Sequence, residues 1–147
     1  MSPDIARALA IDDSSPTKDR TIDITTIGRR SGEQRRIEIV FYRLGDRVYL
    51  SGIPGPTRRN CLANLAAHPQ FTFHLKHGLV ADLPATATVI TDPAERRRIL
   101  AVFVDQFNRR QGPDSPWPDA VLDEWVERSP LAEVNFAESD ADTVDTP

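Results

Sequence analysis

From Thr21 onward, apolar and polar residues alternate along the chain with a period of two. The alternation runs over residues 21–25, 36–42 and 47–51, with a tight turn at 44–46. Successive side chains of a β-strand point to opposite faces, so this period predicts strands with one buried face. Three such stretches joined by short connections predict an antiparallel meander.

The pattern changes in the stretch SGIPGP at residues 51–56, because two prolines and two glycines cannot extend a regular ladder. A short helix is predicted next, from about Arg58 to Ala67, and Pro69 ends it. Two further alternating stretches, at 71–76 and 80–90, predict a second pair of strands.

Residues 92–95 predict the start of a long helix. Asp92 suits the cap position and Pro93 the first helical position. The apolar residues that then recur at spacings of three and four are Ile99, Leu100, Phe103, Val104 and Phe107. Such a stripe is expected to pack on a sheet. A shorter helix holding Trp125 and a closing strand at 130–136 follow.

These elements predict a mainly β (α+β) fold with about six mostly antiparallel strands, one long helix and two short helices. Antiparallel sheets of this size commonly close into a small barrel, which covers their edges. The domain is expected to span residues 21–137. A flexible arm is expected at 1–20, and an acidic disordered tail at 138–147.

Composition restricts the class of protein. The 147 residues are 39% hydrophobic and 27% charged, as in a single soluble globular domain. No apolar run approaches the roughly 20 residues that cross a bilayer, and the N-terminus has no secretory signal pattern. The single cysteine, Cys61, suits a reducing compartment. A cytoplasmic protein without a membrane span is therefore expected.

The net charge of −4 resides in the tail. Residues 138–147 carry four acidic residues and no basic residue. The whole chain has 22 acidic and 18 basic residues, so the rest of the chain has 18 of each. A neutral body argues against a broad nucleic-acid interface, so no nucleic-acid partner is expected. Any anion site must be local.

One connection of this neutral body is strongly basic. The stretch TIGRRSGEQRR, residues 26–36, contains Arg29, Arg30, Arg35 and Arg36. Gly28 and Gly32 permit positive φ, and turns of this kind can direct successive amides inward. Guanidinium groups match phosphate oxygens in geometry and charge. A solvated hairpin tip and a phosphate cradle are both compatible with these residues.

A second basic pair, Arg58 and Arg59, lies at the start of the predicted short helix. Helix N-termini attract anions because their first amides are unpaired. A Gly/Pro loop that leads into such a terminus is suited to form a second wall of the same site. Two loops with this character favour a cofactor phosphate over a solvated tip.

The order of three stretches resembles a known family. They are TTIGRRSGEQRR (25–36), VFYRLGDRVYLSGIPGPTRRNCLANLAAHP (40–69) and SPLAEVNF (129–136). Over about Thr21 to Phe136 the chain resembles the deazaflavin-dependent nitroreductase and quinone reductase family. The resemblance implies a split β-barrel related to FMN-binding barrels, and an oxidoreductase that uses coenzyme F-420.

The resemblance also implies roles for individual residues. The residues expected to hold the coenzyme phosphate are Arg29, Arg30, Ser31 and Arg35, with Gly32 as a further coenzyme-binding residue of the hairpin and Arg36 as an adjacent, weaker candidate. The residues expected along the deazaflavin ring are Ser51, Gly52, Ile53 and Gly55. Ser51 takes the catalytic position near the hydride-transferring face. The residues expected to close the pocket from the helix are Arg58, Arg59, Asn60 and Cys61.

The chain departs from the family at two places. Cys61 and Leu62 stand where the family helix usually presents a Trp-Tyr pair against the coenzyme. Trp117, Leu122 and Trp125 occupy the region in which nitroreductase-type members carry substrate tyrosines. The nitro-drug substrates of the family are therefore not carried over to this chain.

The leading interpretation is hydride transfer from reduced deazaflavin to an electron-poor small-molecule acceptor, such as a quinone, an enone or a nitro compound. One alternative keeps the barrel and replaces the coenzyme with FMN. Another is a non-catalytic carrier of a flavin or other small ligand. An RNA-binding module is disfavoured, because the basic stretch lacks interleaved aromatic residues. No metal site is expected, and both a monomer and a homodimer are compatible with the sequence.

Overall fold

The computed structural model describes residues 2–11, 17–52, 54, 58–111, 113 and 119–137, with the backbone alone described at 17 and 58–62. Several predicted positions lie outside the described residues: Ile53, Gly55, Trp117 and the tail 138–147. The side chains of Arg58, Arg59, Asn60, Cys61 and Leu62 also lie outside them.

Six strands and five helices are present in this part of the chain. The strands are β1 (Thr21–Ile27), β2 (Gln34–Leu44), β3 (Arg47–Ser51), β4 (Gln70–Leu75), β5 (Ala81–Val89) and β6 (Leu131–Phe136). The helices are α1 (Pro3–Leu9), α2 (Thr17–Arg20), α3 (Arg58–Ala67), α4 (Pro93–Arg110) and α5 (Leu122–Arg128). The predicted strands, the long helix α4 and the short helices α3 and α5 are confirmed, and α1 and α2 are additional.

The six strands form a closed barrel in the order β1-β2-β3-β6-β5-β4, and every neighbouring pair is antiparallel. The predicted barrel is confirmed. Closure pairs both sides of every strand, which removes the exposed edges that an open sheet of this size would present. The last strand, β6, lies between β3 and β5.

Alternate residues of the strands fill the barrel interior. Phe73 lies at its centre with no solvent exposure, and its ring meets the rings of Phe41 and Phe136 edge-on at centroid distances of 5.4 and 5.1 Å. Ile22, Ile24 and other interior side chains surround them. Burial of apolar side chains such as these contributes roughly 1.5–3 kcal/mol each.

A second core lies between α4 and the outer face of β2 and β3. Phe103 stacks on Tyr42 at 4.4 Å and meets Tyr49 edge-on at 5.7 Å. The predicted apolar stripe of α4 is therefore packed on the sheet. Its predicted start is also correct, because the Asp92 carboxylate accepts a hydrogen bond from the backbone nitrogen of Glu95 at 2.9 Å.

The segment expected to be an arm is partly packed on the barrel. Leu9, at the end of α1, and Ile11 are buried in the interior cluster. The flexibility of residues 1–20 stays a prediction, and these two side chains attach part of the segment. None of the helices described combines the length and the apolar composition of a membrane span.

Candidate functional site

The arginine-rich connection between β1 and β2 is a compact, hydrogen-bonded loop. The backbone nitrogen of Gly28 donates to the Glu33 carbonyl, and that of Gly32 to the Gly28 carbonyl, both at 2.9 Å. The Ser31 hydroxyl accepts from the Glu33 amide at 3.1 Å. Gly32 has a φ of 71°, a conformation that favours glycine. The loop therefore holds its arginines on a fixed backbone.

Gly28 serves the loop through its small size. Of the two hairpin glycines that permit a positive φ, Gly32 adopts one, whereas the φ of Gly28 lies outside that range. A Cβ at this position would lie 2.6 Å from the Ser31 hydroxyl oxygen and 3.6 Å from Nε of Arg35. Only a residue without a side chain lets the Ser31 hydroxyl lie this close to the backbone.

The loop borders a pocket of about 170 Å³ at one end of the barrel. The residues that line it are Gly28, Arg29, Arg30, Ser31, Arg35 and Asn64. All four residues expected to hold a phosphate thus meet at one place. Gly32, which was also expected to bind the coenzyme, shapes the loop and is not among the described residues that line the pocket.

Asn64 is a pocket residue that the sequence analysis did not select. It projects from α3 and is buried, and its Oδ1 accepts a hydrogen bond from the Arg29 backbone nitrogen at 3.0 Å. The sequence feature that could have indicated Asn64 is the Asn-Leu pair before Pro69 in the family-like stretch. By itself this pair predicts only the end of a helix.

The pocket arginines are not neutralised by carboxylates. Arg29, Arg30 and Arg35 are exposed, and none of them forms an ion pair with the residues that the structure describes. Among the residues that the structure describes, no acidic side chain lines the pocket. The hairpin therefore presents three guanidinium groups whose hydrogen-bond donors are available to an anion.

Arg36 belongs to the opposite face of the hairpin, which corrects its place as an adjacent candidate. Arg35 lies opposite Thr26 and Arg36 opposite Thr25, so their side chains project to opposite sides of the ladder. Nε of Arg36 donates to the Asp23 carboxylate at 2.9 Å. Its charge is compensated there, away from the pocket.

Asp23 is the centre of a small charged network on that outer face. Nζ of Lys76 donates to its carboxylate at 2.8 Å and also binds Glu38. The hydrogen bond from Lys76, followed by the one from Arg36, lowers the pKa of Asp23 and outweighs the opposing effect of burial. The same contact with Asp23 raises the pKa of Lys76.

The other predicted group, at the end of β3, lies apart from the hairpin pocket. Ser51 pairs with Val40 on β2, five residues from Arg35, which is about 17 Å along the strand. The Ser51 side chain is completely buried, and its hydroxyl donates to the Pro130 carbonyl at 2.8 Å. The Ser51 hydroxyl, which was predicted to lie near the reacting centre, is therefore hydrogen-bonded to the main chain of the residue just before β6.

In the part of the chain that the structure describes, no three His, Cys, Asp or Glu side chains lie close enough together to bind a metal ion. His74 instead bridges two strands: its Nε2 lies 2.6 Å from the Thr25 hydroxyl and its Nδ1 lies 2.7 Å from the Asp82 carboxylate.

A family model described as F420H2-dependent quinone reductase matches residues 13–115. The chain belongs to this family. It is a deazaflavin-dependent oxidoreductase, and its coenzyme is F-420, as the resemblance implied. The match includes the arginine hairpin and α3, and it ends before α5 and β6. No curated protein sequence matches the chain significantly.

Solved structures of other proteins share the fold. A conserved hypothetical protein of Mycobacterium tuberculosis is 17% identical with a TM-score of 0.61, over 93% of this chain and 81% of that one. A pyridoxamine 5'-phosphate oxidase-related, FMN-binding protein of Nostoc punctiforme is 14% identical with a TM-score of 0.59, over 92% and 82%. An FAD-binding protein of Mesorhizobium loti is 10% identical with a TM-score of 0.58, over 92% and 90%. At these identities the likeness shows the split-barrel fold alone.

Proposed function

We propose that this member of the F420H2-dependent quinone reductase family transfers a hydride from reduced coenzyme F-420 to an electron-poor small molecule, namely a quinone, an enone or a nitro compound. The observation that carries the proposal is the hairpin pocket, where Arg29, Arg30 and Arg35 converge with no acidic partner among the described residues. The family supports the coenzyme, and the class of acceptor is our proposal.

The hairpin is assigned to the phosphate of the coenzyme. The three guanidinium groups each offer planar pairs of donors. Ser31 accepts a bond from Glu33, and its own hydroxyl hydrogen remains to donate to a phosphate oxygen. Hydrogen bonds to a charged group contribute roughly 1.5–3 kcal/mol each when well placed. Gly32 contributes by fixing the turn, because its amide is bonded to the Gly28 carbonyl.

Two features of the pocket fit a phosphate. The described lining residues include no carboxylate, so they leave the positive charge uncompensated. The missing Cβ at Gly28 lets the Ser31 hydroxyl lie close to the loop backbone, beside the Arg35 side chain. A bound phosphate would thus meet donors on several sides without a competing anion.

The segment that begins at Ser51 is assigned to the deazaflavin ring. Because the Ser51 hydroxyl is bonded to Pro130, Ser51 and Gly52 are proposed to act through their main chain. On the strength of the resemblance, Ile53 and Gly55 continue this wall, and Arg58, Arg59 and Cys61 at the start of α3 close it. When bound, the reduced deazaflavin supplies the hydride from its C5. The chain supplies binding, orientation and exclusion of water.

A fluorescence titration with coenzyme F-420 tests the phosphate assignment. The Arg29→Ala/Arg30→Ala variant is expected to bind at least about 100-fold more weakly, because two charged hydrogen bonds are lost. Arg36→Ala is the control, since it removes one guanidinium charge, half of that lost in the double variant, from the opposite face, where Arg36 is paired with Asp23. Its dissociation constant should stay within about threefold of the wild type. Equal losses in both variants would contradict a specific cradle.

The acceptor class is tested separately, by mixing protein and reduced coenzyme with one quinone, one enone and one nitroaromatic compound. Loss of the reduced-coenzyme spectrum with at least one of them is expected. Tight binding without oxidation by any acceptor would support a carrier instead. Titration with FMN in place of F-420 distinguishes the two coenzymes, and tighter binding of FMN would overturn the assignment.

A further inference from the structure

Two buried hydrogen bonds join the end of β3 to the start of β6 reciprocally. The Ser51 hydroxyl donates to the Pro130 carbonyl at 2.8 Å, and the Ser129 hydroxyl donates to the Gly52 carbonyl at 2.7 Å. Ser51 and Ser129 are 0% and 1% exposed. These two bonds, the serine clasp, extend the β3–β6 ladder by one step beyond the Ser51–Leu131 pair. They fix the main chain at Gly52, because breaking the bond from Ser129 would leave the buried Gly52 carbonyl without a hydrogen-bond donor, which is costly.

Arg96 of α4 holds the other side of the clasp. Its Nη2 donates to the Ser129 carbonyl at 2.7 Å, and its remaining donors reach the carbonyls of Val126 at 2.9 Å, Ile90 at 3.1 Å and Trp125 at 3.3 Å. The residue is 9% exposed. Its guanidinium binds the carbonyl groups at the end of α5, where a positive charge is favourable. The segment that presents Ser129 is therefore tied to the long helix.

We propose that Ser129 and Arg96 are positioning residues for hydride transfer, which act by fixing the main chain at Gly52, where the ring-binding segment begins. The inference rests on the proposed function. Neither residue was expected to serve the site, and Ser129 lies beyond residues 13–115, which the family model matches. Among the residues that the structure describes, Arg96 is linked to the site through Ser129, and Ser129 through Gly52.

The clasp is expected to affect the rate of the reaction more than the affinity for coenzyme. Reacting atoms must approach to about 3–3.5 Å, and a misplacement of about 1 Å can slow a reaction about 100-fold. The phosphate cradle is a separate structure, since Arg35 lies about 17 Å along β2 from the position opposite Ser51. A displaced ring segment would leave the cradle and its affinity largely intact.

The central test is Ser129→Ala, which removes the hydroxyl and nothing else. With saturating reduced coenzyme F-420, the single-turnover rate constant for oxidation by a quinone is expected to fall about tenfold or more. The dissociation constant of the coenzyme should change by less than about threefold. Arg96→Lys keeps the charge but loses the planar set of guanidinium donors. It should likewise lower the rate constant and leave the dissociation constant nearly unchanged.

Asn108→Ala is the matched structural control. Asn108 of α4 makes two bonds to the main chain of Ala120, at 3.1 and 2.6 Å, and does not contact the clasp. Asn108→Ala should lower the midpoint temperature of thermal unfolding while leaving the rate constant per folded molecule unchanged. An unchanged rate constant in Ser129→Ala, together with a lowered midpoint, would overturn the positioning role. Failure of both Ser129→Ala and Arg96→Lys to fold would also overturn it.

A second readout needs no coenzyme. Amide hydrogen exchange of the peptide covering residues 47–52 should become faster in Ser129→Ala than in the wild type, and should be unchanged in Asn108→Ala. If the wild-type protein fails to bind F-420, the proposed function fails, and this exchange experiment still reports on the clasp. Unchanged exchange in Ser129→Ala would refute the clasp itself.

Discussion

The side-chain oxygen of Asn64 accepts a hydrogen bond from the backbone nitrogen of Arg29 at 3.0 Å, across 35 residues of sequence. This bond attaches α3 to the arginine hairpin at the edge of the pocket that both elements line. The orientation of the Arg29 main chain, and with it one wall of the proposed phosphate cradle, therefore depends on a side chain from another element.

Removal of this side chain should weaken coenzyme binding. In Asn64→Ala the Arg29 amide loses its acceptor, and a neutral hydrogen bond contributes about 0.5–1.5 kcal/mol. The expected loss of affinity for F-420 is about three- to tenfold, measured by fluorescence titration. Asn108→Ala, which also loses a main-chain anchor, should keep wild-type affinity. An Asn64→Ala protein with unchanged affinity would show that the hairpin holds its shape without α3.

The small size of Gly28 gives a second prediction, on stability. Gly28→Ala places a methyl group 2.6 Å from the Ser31 hydroxyl oxygen. The hydroxyl must then move and lose its hydrogen bond from the Glu33 amide, which costs about 0.5–1.5 kcal/mol. Urea unfolding should show this loss in the free energy of unfolding. In a Ser31→Ala background the clashing oxygen is absent, so the added cost of Gly28→Ala should be smaller. Equal costs in the two backgrounds would contradict the contact.

Gly32 provides a prediction of a different kind, because space is open around it and only its backbone conformation is restrictive. At a φ of 71°, Gly32→Ala should lower the free energy of unfolding by about 1–2 kcal/mol. Gly32→Asn should lose less, since asparagine tolerates this conformation better. Chemical unfolding of the two variants provides the measurement, and a reversed order would refute the explanation.

The network around Asp23 predicts a dependence of stability on acid pH. Lys76 and Arg36 lower the pKa of Asp23 in the folded protein below its ordinary value of 3.8. The stabilisation is therefore fully present above that value and is lost as the pH falls through the folded-state pKa. The free energy of unfolding of the wild type should exceed that of Asp23→Asn at pH 6, by at most about 1 kcal/mol for a surface network. The difference should shrink with falling pH, and a constant difference would count against the pairing.

Much of the fold was predictable because its signals are local. The period of two that includes Ile22 and Ile24 defines the interior face of β1, and the Asp92 cap defines the start of α4. A barrel follows once six antiparallel strands must cover their edges. Helix α1 begins with a cap of the same kind, since Ser2 accepts a hydrogen bond from the Ile5 amide and Pro3 follows it, but this helix spans only seven residues. Helix α2 spans only four.

The site was harder to predict where a residue's role depends on register or on distant partners. Arg35 and Arg36 are neighbours in sequence, and only the pairing with Thr26 and Thr25 shows that they project to opposite faces. The partner of the Ser51 hydroxyl, Pro130, is 79 residues away. The residue types at the hairpin predict an anion-binding site, whereas hydrogen bonds across the barrel decide which side chains are available to bind the anion.

The position of β6 also constrains how the protein is made. This strand is the last of the six in sequence, yet it lies between β3 and β5. During synthesis, a nascent chain that has not reached Leu131 has two unpaired strand edges, of the kind that promote association with other chains. The seams that join β6 to β3 and to β5 can therefore close only after the other five strands have been synthesised. Because Ser129 and Pro130 immediately precede β6, the ring-binding end of the proposed site takes shape only at that moment, after the arginine hairpin has already been synthesised.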